Sequence, residues 1–193
     1  MEALVLKSID SFTDEQFFEF CRVNDELRIE RDADGNIIIM EPTGGDAGYF
    51  NLEVSSELRN WNKETEEGRT FNSSTGFTLP DNSVLSPDTT WIALERWKAL
   101  PKEERKKFAH ISPDFVLEIR SQSDNLKELK KKMVKYIENQ VRLAWLIDPL
   151  EEQVFIYRAN GEVEHINSFD IPLSGEEVLK GFQIKLSDFL EKD

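Results

Sequence analysis

The chain has 193 residues, 39% of them hydrophobic and 32% charged, a composition that suits one soluble globular domain with a sizeable core. Its formal charge of -14 excludes nucleic-acid binding by simple electrostatic adhesion, which needs a basic surface, but leaves room for a cation-lined or metal-assisted site. The single cysteine, Cys21, excludes an internal disulfide and a cysteine-based zinc site, and no apolar run approaches the roughly 18 residues of a membrane helix.

In chain order, "MEALVLKSIDSF" has neither a basic region nor a small-residue cleavage site, so a cytoplasmic protein without a secretory signal is expected. "TDEQFFEFCRVN" sets Gln16 three residues after Thr13, a capping box, ahead of Phe17, Phe20 and Cys21 on one helical face. "ELRIERDADGNIIIME" predicts a hairpin of Leu27–Arg31 and Asn36–Glu41 about Asp34-Gly35. After the loop signal "PTGGD", a helix over about Asp46–Glu66 repeats Phe50, Val54, Leu58 and Trp61 at three- and four-residue steps. Short strands at Thr70–Asn72 and Gly76–Leu79 follow, then a turn at Pro80-Asp81-Asn82. A further apolar run leads from Asp88 through Trp91 and Ile92 to Leu94. "LERWKALPKEERKKF" predicts one or two short solvated helices.

"PDFVLEIRS" is a strand with Phe115, Leu117 and Ile119 on one face and Asp114, Val116, Glu118 and Arg120 on the other. A helix from about Asp124 to Asn139, capped by Ser123 or Asp124, leads to the buried strand "RLAWLIDP". "QVFIYRANGEVEHI" is a hairpin turning at Asn160-Gly161, and "FQIKLSDFL" a final strand with a short helix. A helix linking two buried strands is a crossover connection, so the core is mixed α/β.

Five features bear on chemistry. In "SPDTTW", Pro87 cannot donate to a ladder and sits at a strand start, so Asp88 either caps a turn or faces a cleft. Glu118 lies within an apolar run, where a carboxylate needs a partner: an ion pair with Arg120, or a metal ion of the Mg²⁺ type. "LKELKKKMVKY" gathers five lysines against Glu128; most belong to a solvated face, but one can turn towards the carboxylates. In "PTGGDAG" a glycine pair precedes a helix without the Walker pattern; Asp46 is an N-cap or a further cleft carboxylate. His110 and His165 stand in no ligand-spaced or triad pattern.

Taken together, "EPTGG", "SSTGFTLP", "SPDTTW", "PDFVLEIRSQSD", "KMVKY" and "RLAWLIDP", in that order, resemble the Uma-two family of the PD-(D/E)XK superfamily, with the restriction endonuclease-like fold, over roughly Thr13 to Leu190. The resemblance implies an α+β core of helix, three strands, helix and strand in a mixed sheet, with an added N-terminal helix and hairpin and a C-terminal hairpin. It makes Asp88 the Asp of the "PD" element and Glu118 the acid of the (D/E)XK element, with Asp46 as an extra ligand or water-positioning group. "EIR" puts Arg120 where the superfamily has lysine; arginine stays protonated and cannot act as a base. Lys132 in "KMVKY" matches a lysine of the family pattern and is preferred as the assisting cation, with Arg120 second. The activity implied is Mg²⁺- or Mn²⁺-dependent phosphodiester hydrolysis of nucleic acid, DNA first. Asp88, Glu118 and the Ile119 carbonyl would hold the ion. The alternative is an inactive binding or assembly module of the same fold. A homodimer is compatible with either.

Overall fold

The computed structural model describes residues 4–7 and 12–190. Strand β1 (Leu4–Leu6) precedes helix α1 (Asp14–Val23), the hairpin β2 (Arg28–Arg31) and β3 (Ile37–Met40), and the long helix α2 (Gly45–Thr65). Then come β4 (Gly68–Asn72), β5 (Phe77–Thr78), β6 (Val84–Leu85), β7 (Thr89–Ala93), helix α3 (Leu94–Ala99), β8 (Ala109–His110) and β9 (Phe115–Ile119). Helix α4 (Leu126–Glu138), β10 (Leu143–Asp148), β11 (Gln153–Arg158), β12 (Val163–Ile166), β13 (Leu173–Ser174) and β14 (Gln183–Ile184) complete the order.

Local chemistry sets the element ends. Thr13 accepts from the Gln16 N–H at 3.2 Å, and the Gln16 side chain accepts from the Thr13 N–H at 2.9 Å, so the capping box at α1 is complete. Gly35 and Gly161 adopt φ of +84° at the two predicted hairpin turns, a conformation that costs glycine little. Helix α4 starts two residues later than expected and is capped by Asn125, whose side chain accepts from the Lys127 N–H. Asp124 does not cap it, because its carboxylate already accepts from the Ser121 N–H and hydroxyl, both at 2.7 Å. Gly44 rather than Asp46 occupies the N-cap position of α2.

The central sheet runs β12-β11-β10-β9-β7-β4. Within this sheet, among the described residues, β9 and β10 are the pair that runs parallel, and α4 connects them, so the expected crossover is present. Alternation along β9 splits its side chains between two cores. Phe115, Leu117 and Ile119 pack with Phe50, Val54 and Leu58 of α2. Val116 packs on the other face with Met133 and Tyr136 of α4. Both faces of β9 are therefore covered, and all five of its residues are buried.

A second sheet, in the order β1-β3-β2-β6-β5-β8, stands beside this core. The predicted strand at Gly76–Leu79 belongs here, as β5, and not with the central strands. The chain leaves the central sheet after β4, pairs β5 with β6, and returns as β7. Through the pairing of Arg31 with Val84 the N-terminal hairpin joins this insertion. The hairpin is thus a wall of the molecule and not an appendage.

One contact in the central sheet tolerates no added atom. Trp91 donates its indole N–H to Asn62 at 2.7 Å, and Asn62 in turn donates to the Gly68 carbonyl at 3.2 Å. A Cβ on Gly68 would lie 2.2 Å from the Trp91 ring, which is pinned by that bond. Gly68→Ala is expected to destabilise the fold by roughly 1–3 kcal/mol through overpacking, read as a lowered midpoint in urea denaturation; an unchanged midpoint contradicts this packing.

Candidate active site

Strands β7 and β9 run antiparallel with Thr89 opposite Leu117 and Thr90 opposite Val116. Extending that register by one residue sets Asp88 opposite Glu118, on the same face of the sheet. Opposed residues of an antiparallel pair approach to about 5 Å between Cβ atoms, and like charges there repel. Pro87 marks where β7 begins, and the Asp88 Oδ2 accepts from the Ile119 N–H at 2.9 Å, closing the end of the ladder. The two carboxylates sit at the floor of a cleft of about 1290 Å³ between α2, α4 and the second sheet.

Lys132, one turn-face of α4, points at this pair. Its ammonium lies 2.9 Å from Glu118 Oε1 and 3.1 Å from Glu30 Oε1. Tyr136, one turn further on, donates its hydroxyl to the same Glu118 Oε1 at 2.7 Å. The other Glu118 oxygen, Oε2, has no hydrogen-bond partner among the described residues. Among the described residues, Asp88 Oδ1 has the Arg28 guanidinium at 3.9 Å and no hydrogen-bond donor. Each acid is therefore held by one oxygen and offers the other to the cleft.

The electrostatics follow from this geometry. Burial pushes the Glu118 carboxyl up to about 7; Lys132 and the Tyr136 hydrogen bond oppose the shift, while Asp88 and Glu30 add to it. Burial also raises Asp88, against the pull of the Ile119 N–H, Arg28 and Lys132. Burial alone would lower Lys132, but Glu118 and Glu30 more than offset it, so its pKa is raised and it stays an ammonium. Tyr136 is raised well above the usual phenol range, first by burial, and stays a donor.

Of the residues singled out in the sequence, Asp88, Glu118 and Lys132 converge. Arg120 does not join them. It reaches away to the fully buried Asp148 at 2.9 Å on β10, so of the two alternatives for Glu118 the ion pair with Arg120 is not formed. Asp46 is exposed in the first turn of α2 and does not line the cleft; Ala47, Asn51, Ser55 and Arg59 of that helix do. Asp114 sits at the other end of β9, where it accepts from the Ala93 N–H at 2.9 Å and pairs with Arg96 at 2.8 Å. Ile119 contributes its N–H to Asp88, as above.

Three site residues escaped the sequence reading: Arg28, Glu30 and Tyr136. The first two lie on β2, whose alternation sends Ile29 into the α1 core and Arg28 and Glu30 to the cleft; Tyr136 follows Lys132 by one turn of α4. A signal was present: Glu30 is an acid beside Ile29 in a short strand, the same kind of signal that drew attention to Glu118.

A mixed sheet covered by helices on both faces, with two acids at the end of adjacent strands, defines a restriction endonuclease-like fold. The sequence model of the family Uma2, described as "Putative restriction endonuclease", matches residues 14–187, and the chain belongs to that family. Among solved structures it is similar to a "putative nuclease belonging to DUF820" from Anabaena variabilis ATCC 29413. The TM-score is 0.74, with 23% identity over 92% of this chain and 97% of that one. A DrdV–DNA complex gives a TM-score of 0.37 with 14% identity, over 57% of this chain and 9% of that one. No match is found among curated proteins.

The raised Glu118 pKa has a consequence for stability. The folded chain keeps a proton on Glu118 between the ordinary value of 4.5 and about 7, where the unfolded chain has released it. The stability due to this group is full below the lower value and lost as pH rises through the upper one. In chelator-treated buffer, urea denaturation of Glu118→Gln against wild type should shift in favour of the variant from about pH 5 to about pH 8. A difference that stays constant across that range contradicts the burial of a charged Glu118.

Proposed function

We propose that the protein is a divalent-metal-dependent endonuclease that hydrolyses nucleic-acid phosphodiester bonds, with Asp88 and Glu118 as its metal-holding acids and Lys132 as the assisting cation. One observation carries this reading: the buried Glu118 carboxylate and the partly buried Asp88 carboxylate face each other across a strand pair, each with one oxygen hydrogen-bonded and the other turned to the cleft. Repulsion between them is a standing cost that a cation between the free oxygens would relieve. Family membership supports the same reaction class.

The donor set fits a hard ion. Among the described residues no three His, Cys, Asp or Glu side chains gather closely enough to form a cage. Two carboxylates with water and substrate phosphate are what Mg²⁺ or Mn²⁺ accepts; the backbone carbonyl of Ile119, next to Glu118, is the further oxygen we assign. Such an ion supplies a polarised phosphate and an acidified water. The protein's own residues do the rest. Lys132 remains protonated, so it serves as a donor to the developing phosphate charge or to the attacking water and not as a base. Tyr136 and Lys132 together keep Glu118 Oε1 occupied, which aims Oε2 outward. Asp46 is too exposed to contribute in this arrangement, and Arg120 is committed to Asp148. DNA is the first polymer to test.

Plasmid nicking with Mg²⁺ or Mn²⁺ is the experiment. Asp88→Asn, Glu118→Gln and Lys132→Ala should each slow nicking by about 100-fold or more, the scale of losing one preorganised electrostatic contact. Arg120→Ala should lower stability, by stranding buried Asp148, while leaving the rate of the folded fraction intact. Equal nicking by wild type and both carboxylate variants removes the site. No cleavage by wild type of any DNA or RNA with either ion favours the inactive binding module instead.

A further inference from the structure

We infer that Glu30 is a positioning residue of this site, acting through Lys132 and through the backbone that delivers Asp88. The inference rests on the nuclease reading for its kinetic consequence only. Glu30 is 3% exposed and lies on β2, in the second sheet, outside the central strands that carry Asp88 and Glu118. Its Oε1 receives two donors at once: the Ser86 N–H at 2.7 Å and the Lys132 ammonium at 3.1 Å. One oxygen thus ties together three segments distant in sequence, at residues 30, 86 and 132.

Each bond has a separate effect. Pro87 has no N–H, so the Ser86 amide is the last backbone donor before Asp88, and holding it fixes the chain that presents the Asp88 carboxylate. The Lys132 bond divides a single cation between two acids. With Glu118 as its only partner, the ammonium would be free to slide over both Glu118 oxygens and cover the one that now faces the cleft. Glu30 anchors the ammonium on the Oε1 side. Glu30 lines the cleft but is 3% exposed, and its Oε1 is taken up by the Ser86 N–H and the Lys132 ammonium, so it is a support and not a group that touches substrate.

The test is a double-mutant cycle with an independent structural readout. Glu30→Gln keeps the shape and an oxygen for the Ser86 N–H but removes the charge that holds Lys132. It should lower kcat about 10- to 100-fold, with KM changed less than about threefold. In a Lys132→Ala background the same change should cost nothing further, because Glu30 acts through the missing ammonium. Glu30→Asp, which retains charge but withdraws it, replaces Glu30→Gln if that variant does not fold. The second readout is NMR of ¹⁵N-lysine-labelled protein: a slowly exchanging Lys132 ammonium signal in wild type, lost in the Glu30 variant. Losses that multiply in the cycle, or a Lys132 signal unchanged by the substitution, overturn the inference. If wild type cleaves nothing, the nuclease reading fails, and the ammonium signal alone decides the role of Glu30.

Discussion

Asp88 and Glu118 are forced together by strand register. The antiparallel pairing of β7 with β9 leaves the two carboxylates opposite each other on one face, Glu118 buried and Asp88 partly so, and neither strand carries a cation. Burial raises both pKa values, and at Glu118 the charges of Asp88 and Glu30 add to the shift. The architecture around this pair is a set of answers to that constraint. Helix α4, which has to cross over so that β10 can lie parallel to β9, carries Lys132 and Tyr136 onto Glu118 as it passes. The Ile119 amide at the strand end meets Asp88. The compensation is partial: one oxygen of each acid is satisfied and one is left facing the cleft, the arrangement expected of groups kept for a ligand.

The second sheet has a specific place in this scheme. By pairing the N-terminal hairpin with the β5–β6 insertion, the chain builds a wall opposite α4 and delivers Arg28 and Glu30 to the site from the far side. Lys132 consequently stands between two carboxylates from different sheets. The cations the site needs therefore come from α4 and β2, while Arg120, nearest to Glu118 in sequence, neutralises Asp148 on the neighbouring strand. The overall charge of -14 is compatible with phosphate binding on this view, since the relevant field is that of the cleft floor and an ion held there, not that of the whole surface.

Most of the fold was legible in the sequence wherever periodicity was long or turn chemistry explicit. The capping box at Thr13, the glycine turns at 35 and 161, the stripe of Phe50, Val54 and Leu58, and the alternation in "FVLEI" all appear where they were read. Short strands were less legible: β1, β6, β8 and β13 have two or three residues each, too few for alternation to register. The assignment of β5 to a second sheet depends on tertiary pairing that no local pattern encodes. At the site, Asp88, Glu118 and Lys132 could be singled out from motif and context. The ion pairing could not, because a side chain's partner depends on which strands are neighbours: Arg120 is two residues from Glu118 yet bonds across to β10, and Glu30 is 102 residues from Lys132 yet touches it. Asp46 looked suitable by position on its helix, but the first turn of α2 leaves it exposed.

The account depends on Asp88 and Glu118 acting jointly on one ion. Crystals of wild type, Asp88→Asn and Glu118→Gln soaked in Mn²⁺ and measured for anomalous scattering test this directly. The account predicts one Mn²⁺ site in wild type, about 2 Å from Asp88 Oδ1 and Glu118 Oε2, and its loss in both variants. Mn²⁺ bound elsewhere, or bound equally in the absence of either carboxylate, would contradict it.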